Sequence, residues 1–474
     1  MIPVLHTSGA GLLTLLHIVL ALGVSMHVLL YKREPATAIG WVGLAWLAPV
    51  LGSLLYLLLG INRVRRRARI LRAARAVPSA PWVPPAHPRT DYLAALELTG
   101  QRITQRCVED RNAIEILNNG DQGYPVMLAS IEAAQRSVAL ASYIFRADRA
   151  GSAFIDALAR ARARGVAVRV LIDGFGGGYV RAEAWERLCA AGVPAARFLH
   201  SPLPWRMPFL NLRNHKKLLV VDGTVGFLGG LNIGDENLTG ERPPEPVFDT
   251  HFRIEGPVVA QLIDVFAEDW RFATGESLAG EVWAAPAGAG KPRGDATARV
   301  VTSGPDENLH KIEYLVIEAI GCARSQVRIM TPYFLPDERL ITALTLASFR
   351  GVAVEIVLPE HSNHPTVDWA AQAALEPLLA AGCCIWERPA PFHHSKLMTI
   401  DERWSLIGSS NWDTRSFRLN FELDLEVYDP SLARTLGGLM RPPEARPLAI
   451  ERLRARELAV RLRDGAARLL LPYL

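Results

Sequence analysis

The sequence predicts an α/β protein: two tandem α/β domains related by a pseudo-twofold duplication, with mostly parallel sheets flanked by helices, behind an N-terminal two-helix transmembrane hairpin. Three observations lead there. A sparse polar pattern occurs twice, 179 residues apart, as His215, Lys217, Asp222, Gly229 and Asn232 and again as His394, Lys396, Asp401, Gly408 and Asn411. The pentapeptide Arg-Gly-Val-Ala-Val occurs verbatim at 164–168 and 350–354. Two long uncharged stretches stand ahead of both copies.

Those stretches come first in the chain. Gly11 to Leu30 is a 20-residue run broken only by Thr14, His17, Ser25 and His27, and Ala38 to Gly60 is a 23-residue run without a charge. Each is long enough to cross a hydrocarbon core of ~30 Å as a helix. The seven residues between them, Tyr31 to Thr37, predict a tight hairpin with both ends on one side. Arg63, Arg65, Arg66, Arg67, Arg69, Arg72 and Arg75 come next and outweigh Lys32 and Arg33 of the hairpin loop, which places the chain after residue 62 in the cytoplasm. No Lys or Arg precedes the first run, so it reads as a retained anchor rather than a cleaved leader.

Pro78, Pro81, Pro84, Pro85 and Pro88 then make a semi-rigid spacer, and a second break rich in Ala, Gly and Pro covers Ala284 to Gly294. The expected organisation is a hairpin at 1–62, a basic and Pro-rich linker at 63–110, a first α/β domain at 111–283, a linker at 284–298 and a second α/β domain with a basic C-terminal tail at 299–474. Within each domain the same signals recur. Ser137 to Phe145 and Gln326 to Phe334 read as strands, Phe154 to Arg164 and Arg339 to Phe349 as helices, and 165–173 and 351–358 as buried strands. Strand, helix, strand in alternation argues for parallel pairing with helices on both faces.

The motif regions continue this pattern. Lys217 to Asp222 and Lys396 to Asp401 suit central strands that begin with a histidine and lysine two residues apart, hence on one side. Thr224 to Leu228 and Trp404 to Ile407 are the next strands, each running into a glycine turn where backbone N–H groups and an asparagine can approach an anion. Two histidines among Lys217, Lys396, Asn232 and Asn411 offer proton-transferring or nucleophilic groups inside a ring of donors for a phosphoryl oxygen. Asp222 and Asp401 complete the candidate catalytic set, although anchoring of local structure suits them better than chemistry. No carboxylate or Cys/His cluster suggests a metal site, and no cofactor is expected. His393, beside His394, lacks a lysine two residues on and is excluded.

Charge and cysteine usage narrow the reading. Fifty-two basic against 48 acidic side chains leave only +4, which does not favour nucleic acid as a partner. The five cysteines show no metal or disulfide spacing and read as reduced thiols.

The repeated H-x-K-x(4)-D followed by G-[GS]-x-N resembles the phospholipase D superfamily. The N-terminal Arg33-Glu-Pro-Ala-Thr-Ala-Ile-Gly-Trp41, Pro49-Val-Leu-Gly52 and Tyr56-Leu-Leu-Leu-Gly60 resemble the two-span start of its bacterial cardiolipin synthases. So do Tyr143-Ile-Phe, Asn214-His-Lys-Lys, Asp249-Thr-His, Thr331-Pro-Tyr-Phe, Arg415-Ser-Phe and Asn420-Phe-Glu further along. The segment Pro389-Ala-Pro-Phe392 before the second motif departs from that pattern.

The resemblance implies a bilobed α/β fold with one composite site and a phosphatidyl-histidine intermediate, one histidine being nucleophile and the other acid/base. His215 is taken as nucleophile and His394 as acid/base, although sequence does not order two equivalent half-sites. It implies that Asp249 and Glu422 support the histidines and that Ser409, where the first half has Gly230, adds a hydroxyl for the phosphate. It further implies conversion of two phosphatidylglycerol molecules to cardiolipin and glycerol at a bacterial inner membrane, with anionic lipids as partners. The alternative is a hydrolytic phospholipase D or another phosphatidyltransferase. Two further segments could touch lipid: Pro202 to Leu212, which is apolar and carries Trp205, and the tail from Arg446, with seven arginines against three acids.

Overall fold

Both copies of Arg-Gly-Val-Ala-Val stop a helix and start a strand. The helix Arg149–Ala163 is capped at its start by Asp148, whose carboxylate accepts from Gly151 N–H, and Asp337 caps Glu338–Phe349 in the same way. Each helix ends on a glycine in the left-handed region, Gly165 at φ 91° and Gly351 at φ 85°. The next amide reaches back five residues, Val166 N–H to Ala161 O at 3.2 Å and Val352 N–H to Ala347 O at 3.1 Å, which closes the helix end and releases the chain into a strand.

The computed structural model describes residues 3–32, 35–48, 50–60, 89–179, 181–200, 212–286, 293–305 and 309–469. The arginine run 63–75, the proline-rich spacer and nearly all of the apolar loop 202–212 lie outside the described residues. By its contacts the chain divides into two compact units, Met1–Ile70 and Leu71–Leu474.

In the first unit a helix runs from Pro3 to Tyr31, and its apolar part, Gly11–Tyr31, is long enough to cross a membrane. The second expected span is not one helix. It runs from Pro35 to Leu47, resumes at Leu51–Leu55 and ends in the wider turn Tyr56–Gly60. The sequence reason is Pro49, which offers no backbone N–H and so cannot continue the ladder. Ala21, Val24 and Val28 pack with Ala45 and Tyr56. Two polar groups of the first helix find partners inside the unit: His27 Nδ1 meets the Tyr56 hydroxyl at 2.6 Å, and Ser25 Oγ donates to Ala21 O and accepts from Trp46 Nε1.

The second unit is built on one long mixed sheet. Its principal strands are β1 (Glu109–Asn118), β2 (Ser137–Ser142), β3 (Ala167–Asp173), β4 (Ala195–Phe198), β5 (Leu218–Val221), β6 (Val225–Gly229) and β7 (Thr250–Glu255), then β8 (Ala296–Ser303), β9 (Gln326–Met330), β10 (Ala353–Pro359), β11 (Cys384–Arg388), β12 (Leu397–Ile400), β13 (Trp404–Gly408) and β14 (Asn420–Tyr428). β1 and β8 pair at its centre. Outward from β1 the order is β7, β6, β5, β2, β3, β4; outward from β8 it is β14, β13, β12, β9, β10, β11.

The expectation of mostly parallel sheets is corrected here. Among the principal strands of the described residues, parallel pairing is confined to the outer ones, β2 with β3, β3 with β4, β9 with β10 and β10 with β11. The motif strands β5–β6 and β12–β13 are antiparallel hairpins closed by three residues each, 222–224 and 401–403. So short a link cannot make the crossover that parallel pairing needs.

A hydrophobic core lies under each arm, one containing Leu140, Phe154, Leu158, Leu219 and Phe227, the other Ile329, Leu344, Ile356, Met398 and Trp404. All five cysteines are free.

Candidate active site

The two motifs meet because each half binds the backbone of the other. Arg213–Asn214 pairs in parallel with Asn420–Phe421 of β14, and His215 N–H donates to Phe421 O at 2.9 Å. Reciprocally, Phe392–His393 pairs with Val247–Phe248, and His394 N–H donates to Phe248 O at 2.7 Å. Each histidine is thus delivered to the segment leading into the other half's acid.

The side chains share the same crossed pattern. His215 Nδ1 lies 3.0 Å from Glu422 Oε2 and 3.1 Å from Ser409 O. His394 Nδ1 lies 2.8 Å from Asp249 Oδ2. With Nδ1 engaged, the other ring nitrogen, Nε2, is left as the reactive atom. The aromatic walls are Tyr143, whose ring centre is 4.9 Å from that of His215, and Tyr333 and Phe392, at 6.2 and 6.0 Å from His394.

Two lysines stand between the pairs. Lys217 Nζ donates to His215 O at 2.7 Å, and Lys396 Nζ donates to His394 O, so each lysine steadies the backbone of its own histidine. Both are buried. Burial first and then the charge of Lys396 push Lys217 down to about 7; burial likewise brings Lys396 to about 8 against the opposing pull of Asp249 and Glu422. Burial also holds His394 down at about 3 and His215 well below the ordinary imidazole range, the lysines adding to both.

The acids respond in opposite senses. Burial pushes Asp249 up, but Lys396 and His394 reverse it to about 2, whereas Glu422 ends above the usual carboxylate range because burial outweighs Lys217 and its hydrogen bonds. The site is therefore a buried set of two lysines and two histidines with Asp249 held ionised beside them, and an anionic phosphodiester would bring further negative charge to the lysines.

The Gly230/Ser409 difference has a steric basis. A Cβ on Gly230 would sit 2.0 Å from Asp249 Oδ1, so the carboxylate occupies the space a side chain would need. In the other half the longer Glu422 leaves room, and Ser409 Oγ donates to Glu422 Oε2 at 2.6 Å while accepting from Leu423 N–H at 2.9 Å. Ser409, expected to present its hydroxyl to the phosphate, instead gives its proton to the acid that holds His215. Asn420 Nδ2 supports the other oxygen of Glu422 at 3.0 Å.

Of the remaining expected residues, Asn232 is held through Oδ1 by Ile144 N–H at 3.2 Å, which leaves its NH₂ end to donate. Asn411 is buried, and among the described residues its Oδ1 has no partner. Asp222 and Asp401 are placed elsewhere, at the far ends of β5 and β12. Asp222 accepts from Gln135, Arg136 and Ser137 N–H, and Asp401 from Arg324, Ser325 and Gln326 N–H together with the Ser325 and Tyr92 hydroxyls. In the structure their oxygens are taken up by the backbone that starts β2 and β9.

Sequence reasoning missed the roles of Tyr143, Tyr333 and Asn420. The two tyrosines lie just past the C-terminal ends of equivalent strands, a position where α/β sheets collect site residues. Among the described residues no group of three or more His, Cys, Asp or Glu is arranged to hold a metal ion.

Known proteins share both the sequence and the fold. A family model described as "Cardiolipin synthase, PLD-like domain" matches residues 127–270 and 316–439, and one for a phospholipase D-nuclease N-terminal region matches 19–60. The chain is 32% identical to a cardiolipin synthase of Geobacillus kaustophilus, covering 98% of this chain and 94% of that one. It is 30% identical to the major cardiolipin synthase of Bacillus subtilis, over 94% and 95%. The fold is similar to that of a phosphatidylserine synthase of Haemophilus influenzae, with a TM-score of 0.60, 16% identity and coverage of 76% and 95%.

Proposed function

Because the chain belongs to the phospholipase D-like cardiolipin synthase family, we infer that it is a phosphatidyltransferase that joins two phosphatidylglycerol molecules into cardiolipin and releases glycerol. The observation that carries this reading is the crossed arrangement, His215 on Glu422 and His394 on Asp249, with Lys217 and Lys396 between. It provides two histidines with Nε2 available in a site that favours a phosphodiester anion.

In the first step His215 Nε2 attacks phosphorus, the bond to the glycerol headgroup oxygen breaks, and His394 gives that oxygen its proton. His394 is protonated once the bound phosphodiester anion offsets the lysine charges that add to burial in holding its pKa down. In the second, His394 takes the proton of a headgroup hydroxyl on another phosphatidylglycerol, whose oxygen displaces His215 from phosphorus. The lysines and the Asn232 amide stabilise charge on the non-bridging oxygens through both steps. Asp249, held ionised, suits the histidine that must carry the proton, which favours His394 as acid/base. Water competes as acceptor, and the buried site limits it.

The finer organisation is part of the same proposal. Residues 111–283 and 299–474 form a duplicated pair of domains; the family model matching once in each half and the equal strand order of the two arms support this. The N-terminal segment is a membrane hairpin whose second arm crosses as an interrupted helix, with the catalytic unit on the cytoplasmic side where arginines 63–75 direct it.

The test is incubation of the purified protein with phosphatidylglycerol. Cardiolipin and glycerol in equal amounts are expected; phosphatidic acid as the main product would replace the synthase with a hydrolase. His215→Ala and His394→Ala each abolish transfer in a folded, membrane-bound protein. Mass spectrometry of a trapped phosphatidyl adduct locates it on His215, and an adduct on His394 would reverse the roles.

A further inference from the structure

The last helix, Leu458–Arg468, is docked the wrong way round for a helix of a water-soluble domain. Its inward side is polar and small: Asp464 and Ala467 are buried, and Ala467 packs with Ala370 and Ala371 of the helix Pro365–Ala380. Asp464 is clamped by Arg456 at 2.6 Å and by Arg463 at 2.8 Å, and the Arg463 guanidinium lies 4.5 Å from the Trp369 ring centre. These contacts fix the rotation of the helix. On the opposite side Leu458, Leu462 and Leu469 stand 69%, 64% and 77% exposed. Spaced by four and seven residues, they form one stripe, which Ala466 continues.

A protein that folds in water alone has no reason to bury an aspartate and expose three leucines on one helix. Arg461 and Arg468 flank the stripe, Arg454 lies one turn before it, and all three are exposed. The sequence continues beyond Leu469 as Leu-Leu-Pro-Tyr-Leu. The same chain carries a helix long enough to cross a bilayer. We propose that the Leu458–Leu469 face is a second membrane contact, which lies in the interface of an anionic bilayer with its leucines among the acyl chains and its arginines on the head groups. Buried Asp464 and its two arginines then serve to hold the apolar face outward. The contact orients the catalytic unit on the surface that supplies its lipid substrates.

The test uses the full chain in phosphatidylglycerol/phosphatidylcholine vesicles containing a lipid with a diazirine at mid-acyl chain. After irradiation, mass spectrometry should find adducts on Leu458, Leu462 or Leu469, and far fewer in Leu458→Glu/Leu462→Glu. The double variant, altered only at exposed positions, should raise KM for vesicular phosphatidylglycerol by about tenfold. It should leave turnover of a short-chain, water-soluble phosphatidylglycerol unchanged. Absence of adducts on this helix would overturn the proposal, as would equal losses on both substrates, which would mean that the leucines serve the fold. Labelling is read without turnover, so a chain that labels on the helix but makes no cardiolipin would refute the proposed reaction and leave the membrane contact standing.

Discussion

Exchanging the matched pair Gly230/Asp249 for the Ser/Glu pair of the other half tests whether carboxylate placement governs the histidines. In Gly230→Ser the new Cβ would lie 2.0 Å from Asp249 Oδ1 and 2.5 Å from Cγ, against ordinary contacts beyond 3.4 Å, so the carboxylate must retreat by more than 1 Å. That breaks its 2.8 Å bond to His394. A hydrogen bond to a charged group contributes about 1.5–3 kcal/mol, and an ångström of misplacement at a catalytic group costs on the order of a hundredfold in rate. The single variant should therefore lose about 100-fold in kcat with KM nearly unchanged.

In Gly230→Ser/Asp249→Glu the longer acid can reach around the hydroxyl, as Glu422 does around Ser409, and should recover most of the loss. Cardiolipin formation in the wild type, both single variants and the double variant gives a coupling energy of about 1.5 kcal/mol or more. Full activity in Gly230→Ser, or a double variant no better than the singles, would refute the reasoning.

Two further predictions concern charge and anchoring. Each site lysine carries its charge only below its pKa, about 7 for Lys217 and about 8 for Lys396. KM for phosphatidylglycerol should therefore rise as pH passes from about 7 to 9; a flat KM over that range would remove the lysines as phosphate-binding cations. Asp401→Ala leaves three backbone N–H groups without their acceptor and should cost on the order of 2–4 kcal/mol, read as a lower midpoint in denaturant, with kcat retained at low temperature. Loss of kcat in a folded Asp401→Ala protein would return that residue to the chemistry.

Local patterns are readable wherever a short stretch carries its own cause. The repeated Arg-Gly-Val-Ala-Val announces a helix stop and a strand start, because a left-handed glycine brings both about within five residues. Asp148 and Asp337 cap their helices through amides two or three residues on. Strand direction is harder to read, since the apolar runs of β5 and β12 suit either pairing and only the three-residue links make them antiparallel. The second N-terminal run looks like one unbroken span because hydropathy averages over Pro49.

From the sequence alone come the ten motif positions, which residue type and spacing carry, and, through the resemblance to the phospholipase D superfamily, the acids Asp249 and Glu422 and the chemistry of phosphodiester transfer. What only the tertiary structure decided is who serves whom. His215 takes Glu422 and His394 takes Asp249, Ser409 serves an acid rather than the phosphate, and Asp222 and Asp401 hold strands. These are contacts between residues up to 207 positions apart, set by which strand edge faces which histidine. A linear pattern carries the inventory of a site, but hydrogen bonds need direction and distance, and those exist only after the two halves have paired.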